Sequence, residues 1–323
     1  MDFTLTDVQR AWRDKAASLG QELAGDATAA DVVMGAARVG LLDPVADLLA
    51  VTVAVEALAS ESPAAAVAFG LHSAAALSVA GDDRFTALFR GEAVGALTLA
   101  TDAIPEHQGD VLVGRASWVA PVTDHGVALI GVRHGHSLAA CAVALDHPSI
   151  AIDIVRTAAL PGLLCGHLTL ARTPCQTLGA TQPVMRRARV LLAATGLGLA
   201  RRAVREALGS ARGTSRGAGG EQTVQGLVAD AATDLDAAML LTWKAATTDE
   251  SLSAASMAKL AATQAAQRAV ERATQVVGAD SFRRGHIIER LAQDVRALEL
   301  FGGRTEALRE AVAEAELPQG ATS

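Results

Sequence analysis

The hydrophobic period of this chain switches twice along its length, and that alternation restricts it to a three-part fold. Up to about residue 90 the apolar residues recur at helical spacing. Asp7 to Leu23 reads as an amphipathic helix that Thr6 can cap. Val33 to Leu41 reads as a short second helix ending near Gly40. Leu48 to Ala59 and Ala64 to Val79 read as two more, split by the Ser60–Pro63 breaker, and Asp82 to Phe89 as a last turn. From Gly95 to Ala171 the segments become short. VGALTLA, VLVGRASWVA, GVALIGV, AACAVALD, IAIDIV and HLTLA are separated by Gly, Asp, His and Pro clusters, as antiparallel strands and turns would be. A compact β barrel or sandwich of about 75 residues is predicted there.

The helical period returns from Pro183 to about Glu314. Val190, Ala194, Leu197, Val204 and Leu208 make one apolar stripe, and Val224, Leu227, Val228, Ala231, Leu235, Ala238 and Thr242 a second. Ala261, Ala265, Ala269 and Ala273 make a small-residue face that lets backbones approach. Ile288, Leu291, Val295 and Leu298 make a fourth stripe. Four long helices in an up-down bundle follow from this pattern. The loop Arg212–Gly220 separates the first two, and the tail beyond Leu317 is expected to fray. The expected fold is mainly α with a central β domain, divided as 1–91, 92–178 and 179–323.

Composition narrows the function. Half of the 323 residues are hydrophobic and 20% are charged, which excludes a disordered chain. A net charge of −7 argues against non-specific nucleic-acid binding, which needs a basic footprint. The longest uncharged run, Pro63 to Gly81, is rich in Ala and Ser and holds Gly70 and His72, so a buried helix is expected rather than a membrane span. The opening MDFTLTDVQRAWRDK lacks the apolar stretch of a signal peptide, and a cytoplasmic protein is expected. Cys141, Cys165 and Cys175 are odd in number and lack CxxC spacing, which argues against a disulfide framework or a zinc knuckle; no metal is expected. With no tyrosine and 3% aromatics, the core is mostly Ala, Leu and Val. Such helices bury little area each, so oligomerisation is expected to add burial.

The order of these parts, and several words within them, resembles the acyl-CoA dehydrogenase family. FTLTDVQRAWRD resembles that family's first helix, and VGLLDP followed by LAVTVAVEALA its next two helical stretches. SWVAP sits where the family has a Trp-Ile-Thr or Trp-Ile-Ser strand. EQTVQGLVADAATDL resembles its Phe-Gln-x-x-Gln-x-x-Leu-Ala-Asp helix. MAKLAATQAAQRAVERATQVVGADSF resembles the helix before the Gln-x-x-Gly-Gly-x-Gly-Tyr turn. IIERLAQDVRALELFGG resembles the Val-Glu-Arg-x-x-Arg-Asp-Ala-Arg helix with the catalytic segment after it.

The resemblance implies an FAD-binding oligomer that removes hydrogens from the α and β carbons of an acyl thioester, carried by CoA or a carrier protein. An electron-accepting flavoprotein would take the electrons. It places Trp118 near the flavin ring, followed by Val119 and Ala120, the latter in place of a hydroxyl residue. Thr101 and Asp102 are the polar remainder of a flavin loop. Arg212, Gly213 and Thr214 would face the pyrophosphate ahead of the helix that begins near Gln222. Gln275, Gly278 and Ala279 match the turn that reaches FAD across a subunit boundary. The plainer alternatives are a β-domain core Trp, a solvated arginine loop and a helix C-cap. Glu289, Arg290, Asp294 and Arg296 match the family's charged helix and are expected to form structural ion pairs.

The family's catalytic glutamate is missing. By register its usual position falls on Gly302, with Phe301 in the aromatic place, and its other known position falls near Ala188. Glu299, Glu306, Asp102, His107 and His125 are the nearest substitutes, and exposed charges are the plainer reading of each. Three functions stay open: a base-lacking subunit paired with a homologous chain, a divergent tailoring enzyme acting on a carrier-bound acyl group, and a scaffold that has lost flavin.

Overall fold

A computed structural model describes residues 4–23, 27–98, 103–135, 137–213, 222–248 and 250–317. The chain opens with α1 (Asp7–Glu22), α2 (Ala29–Arg38), α3 (Leu48–Glu61), α4 (Pro63–Ser78) and the short α5 (Thr86–Arg90). Thr6 caps α1 as expected: its hydroxyl accepts from the Gln9 N–H, and the Gln9 side chain accepts from the Thr6 N–H. A second such pair, Thr28 and Asp31, starts α2 before the expected Val33. Helix α4 is buried from Ala65 to Ala76, all the way round. A helix without a polar face belongs at the centre of a core, and α4 packs against α2, α3, the first strand and the bundle.

Eight strands follow: β1 (Val94–Thr98), β2 (Glu106–Gln108), β3 (Val111–Ala120), β4 (Gly126–His134), β5 (Ser137–Ala144), β6 (Ile150–Val155), β7 (Cys165–Pro174) and β8 (Gln176–Ala180). They pair as one sheet in the order β6-β7-β3-β1-β4-β5-β8, with β2 joined to β3 and β4. The expectation of antiparallel pairing holds for most pairs and fails at two, since β1 and β2 each run parallel to β4. Burial alternates along β4 with the strand period of two. Ala128, Ile130 and Val132 enter the sheet's own core, and Leu129 enters the larger core shared with the helices.

The last part contains α6 (Gln182–Gly213), α7 (Gln222–Thr247), α8 (Leu252–Val277), α9 (Ile287–Leu300) and α10 (Thr305–Glu316). Three helices are long, and the stretch expected to end the bundle forms a fifth helix, α10. Helix α6 continues through Arg212, which therefore stands on helical backbone rather than in a loop. Small residues bring α6 against two neighbours. A Cβ on Gly196 would lie 3.2 Å from the Ala262 backbone of α8, and one on Gly198 would lie 2.4 Å from the Glu56 carbonyl of α3. Among the described residues no helix is long and apolar enough to cross a membrane.

Candidate functional site

Where the sheet meets the bundle there is a cleft with about 700 Å³ of empty space, part of it open to solvent. One wall is β-sheet: Leu97 and Thr98 of β1, Leu129 to Gly131 of β4, and Leu138 and Ala140 of β5. Leu97 and Leu129 are register partners in the parallel β1–β4 pair, so they stand side by side on one face. The Thr98 hydroxyl donates to the Leu129 carbonyl at 3.3 Å and accepts from the Gly131 N–H at 3.4 Å, stitching that wall together. The other wall is Val184, Met185 and Ala188 of α6 with Thr181 just ahead of them, at the spacing that shares one helix face. Gly302 closes the end.

Two buried cations hold that end in place. Arg189 donates from Nε to the Gly302 carbonyl at 3.0 Å and from Nη1 to Ser256 Oγ at 2.7 Å. Lys259 Nζ donates to the carbonyls of Glu299 at 3.2 Å and Gly303 at 3.1 Å. These carbonyls gather at and just beyond the C-terminus of α9, the negative end of its dipole. Lys259 is fully buried. Desolvation, reinforced by the nearby Arg189 and opposed by Glu299, brings its amine down to about 7. Burial also lowers Arg189 from its ordinary value.

Residues 178–317 match the family model for the acyl-CoA dehydrogenase C-terminal domain. Over a stretch of 95 residues the chain is 38% identical to 3-sulfinopropanoyl-CoA desulfinase of Paraburkholderia xenovorans. That match spans 28% of this chain and 24% of the desulfinase, about a quarter of the relative's length. Butyryl-CoA dehydrogenase of Megasphaera elsdenii superposes with a TM-score of 0.87 at 18% identity, covering 98% of this chain and all of that one. The bundle thus matches that family's C-terminal domain, and the whole chain takes the acyl-CoA dehydrogenase fold. A glutaryl-CoA dehydrogenase of Mycobacterium smegmatis, determined in complex with FADH2, superposes with a TM-score of 0.86 at 14% identity, covering 99% of this chain and 97% of that one.

Within this acyl-CoA dehydrogenase fold, Ala188 and Gly302 come from separate elements and line the same cleft. Among the described residues no carboxylate lines it with them. Glu299 points elsewhere: its carboxylate accepts from Gln267 at 2.9 Å and Thr305 at 3.2 Å, a bond set that joins α8, α9 and α10. Glu306 is exposed on the first turn of α10. His125 is exposed beside Asp146, and His107 lies against His134 and Thr177. Asp102 and Thr101 fall outside the described residues.

The expected cofactor residues are spread over three places. Trp118 has a φ of +54° and packs edge-on to His167, with 5.4 Å between ring centroids. Val119 and Ala120 are fully buried, and Val119 belongs to the sheet's own core rather than to the cleft wall. Gln222 begins α7 and is exposed; Arg212 is the next-to-last residue of α6, its side chain outside the described residues, as is Thr214. Gln275 is exposed near the end of α8. Gly278 caps that helix at φ +73°, and Ala279 is exposed beyond it. In the charged helix, Asp294 departs from the ion-pair expectation: its carboxylate accepts the Leu160 N–H at 2.6 Å and ties α9 to the loop before β7. The cleft's apolar lining went unseen in the sequence because Leu97, Leu129, Val184 and Met185 carry no motif. Arg189 and Lys259 had a visible signal, each being a cation on an otherwise apolar helix face.

Proposed function

We propose that this chain forms the flavin- and acyl-binding cleft of an acyl-CoA dehydrogenase-type oxidoreductase and leaves the catalytic base to a homologous subunit. The observation that carries this reading is the convergence of Ala188 and Gly302 on one cleft without a carboxylate among the described residues lining it. Removal of an α proton from a thioester near neutral pH gains about 10²–10⁴-fold from a positioned base. A cleft with two small side chains at the places of that base can still hold the acyl group while lacking the acceptor for its proton.

The residues present fit FAD at its ring end. Apolar walls from Leu97, Leu129, Val184 and Met185 suit a planar aromatic ring and exclude water from it. A bound FAD would supply the hydride acceptor for the acyl β carbon. The small side chains of Ala188 and Gly302 leave room for the thioester, and Arg189 and Lys259 fix the Gly302–Gly303 backbone beside it. Arg212, Thr214 and Gln222 are assigned to the pyrophosphate, Gln222 standing at the N-terminal end of α7, where an anion is favoured. Gln275, Gly278 and Ala279, at the outer end of α8, are assigned to the cofactor of a neighbouring chain. Trp118, Val119 and Ala120 are assigned to the strand that backs the ring, and an electron-accepting flavoprotein is the expected oxidant.

The test is the visible absorption spectrum of the chain purified alone and after co-expression with a homologous acyl-CoA dehydrogenase chain. Flavin in the joint preparation, lost in Met185→Trp or Leu97→Trp while far-ultraviolet circular dichroism is unchanged, is the expected outcome. Full flavin content in both folded variants would place the ring outside this cleft.

A further inference from the structure

Two of the three cysteines, far apart in sequence and without a metal-binding spacing, are brought together by the sheet. Cys141 lies on β5 and Cys175 between β7 and β8. His107 of β2 joins them, and the ligating atoms of all three lie within 4.8 Å of one another. We propose that His107, Cys141 and Cys175 bind a single Zn²⁺ ion that pins β2, β5 and the β7–β8 junction behind the cleft wall.

The donor set selects the ion. Two thiolates and an imidazole suit zinc, whereas Mg²⁺ and Ca²⁺ need oxygen ligands that this cluster does not offer. Zinc bonds of about 2.0–2.3 Å set tetrahedral donors roughly 3.5–3.8 Å apart, so closure needs a contraction of about 1 Å. The histidine is already oriented. His107 Nδ1 is engaged by His134 Nδ1 at 2.9 Å, which leaves Nε2, in a longer 3.4 Å contact with Thr177, as the nitrogen for an ion. A hydrogen bond to the other ring nitrogen is the usual way a ligating histidine is held. Thr177 Oγ1 sits 3.4 Å from His107 Nε2 and 3.9 Å from Cys141 Sγ, beside two of the three donors.

The backbone is shaped toward the same point. The β5–β8 ladder shifts register between Ala140 and Cys141, and the β3–β7 ladder shifts where Arg172 takes a φ of +56° shortly before Cys175. Bulges re-aim the side chains beside them. Ala140 faces the cleft, so Cys141, one residue on, faces the opposite side of β5, in the sheet's own core. Cys175 and His107 are only partly buried, which gives an ion a way in.

The experiment uses the full chain, reduced and free of affinity-tag histidines, with Co²⁺ as the spectroscopic probe for Zn²⁺. One Co²⁺ per chain should bind with a near-ultraviolet thiolate-to-cobalt charge-transfer band that Zn²⁺ displaces. Zn²⁺ should raise Tm and Mg²⁺ should not. Cys141→Ser and Cys175→Ser should abolish the band. His134→Ala, which removes only the orienting bond, should weaken affinity about 10–100-fold. No charge-transfer band on the folded wild-type chain, or a band that survives in both cysteine variants, would overturn the proposal. The wild-type titration and the Tm shift stand even if a cysteine variant fails to fold.

Discussion

At Gly302 an added Cβ would meet Leu192 Cδ1 at 2.7 Å, on a backbone whose φ of +69° few side chains adopt. A carboxylate therefore cannot be introduced there without strain, while Ala188 lies within α6. Gly302→Glu is expected to cost about 1–3 kcal/mol more in urea-denaturation stability than Ala188→Glu, since both bury a carboxylate but only one forces the backbone. Equal losses would contradict this account of the site. Lys259 gives a second residue-scale prediction. Its amine titrates at about 7 in the fold against an ordinary 10.5, so the unfolded chain keeps the proton over the window between. The penalty of a buried charge is complete below about pH 7 and fades as pH rises toward 10.5. Stability from this group accordingly rises with pH across that window, by at most about 1.4 kcal/mol per unit. Lys259→Met should flatten the rise, measured from urea midpoints between about pH 7 and about pH 9. Gly302 and Ala188, which the structure brings to one cleft, could be singled out in the sequence because the resemblance fixes a register. The two cations beneath them went unread although each is visible as a cation among apolar helix residues, because nothing local marks which backbone carbonyls it satisfies.

Between elements, the close approaches matter more than the stripes. Helix α6 reaches α3 through Gly198, where a Cβ would sit 2.4 Å from the Glu56 carbonyl and 2.9 Å from the Ser60 N–H. Backbone cannot yield as a side-chain tip does, so Gly198→Ala is expected to cost about 1–3 kcal/mol by overpacking, read from chemical denaturation. The same helix pair is clamped at its edge by Arg201 with Glu56 and by Arg205 with Glu61, the latter at 2.8 Å. Asp294 links bundle to sheet domain through the Leu160 N–H, and Asp294→Ala leaves that buried donor unpaired. A loss of about 1–3 kcal/mol is expected, and native-state hydrogen exchange should speed up at Leu160 first. The apolar period and the caps made the long helices readable, Thr6 and Gln9 most clearly. Strands β2 and β8 went unread because three to five half-exposed residues carry too little alternation. The parallel β1–β4 pairing is a property of chain topology, and local sequence does not encode it.

For the molecule as a whole, the cleft depends on pieces no local pattern joins: β1, β4 and β5, the first turns of α6, and the turn after α9. Several residues assigned to the cofactor, among them Gln222, Gln275 and Ala279, are exposed on the single chain. A site completed by a second chain accounts for that exposure. The bland apolar lining also explains why function was harder to read than fold: apolar walls select a ligand by shape, and shape leaves little trace in a sequence. The most direct measurement is anaerobic titration of the flavin absorbance with acyl-CoA thioesters, for the chain alone reconstituted with FAD and for its complex with a homologous chain carrying the base. The account predicts bleaching in the complex and none with the chain alone. Bleaching of equal rate and extent by the chain alone would contradict it.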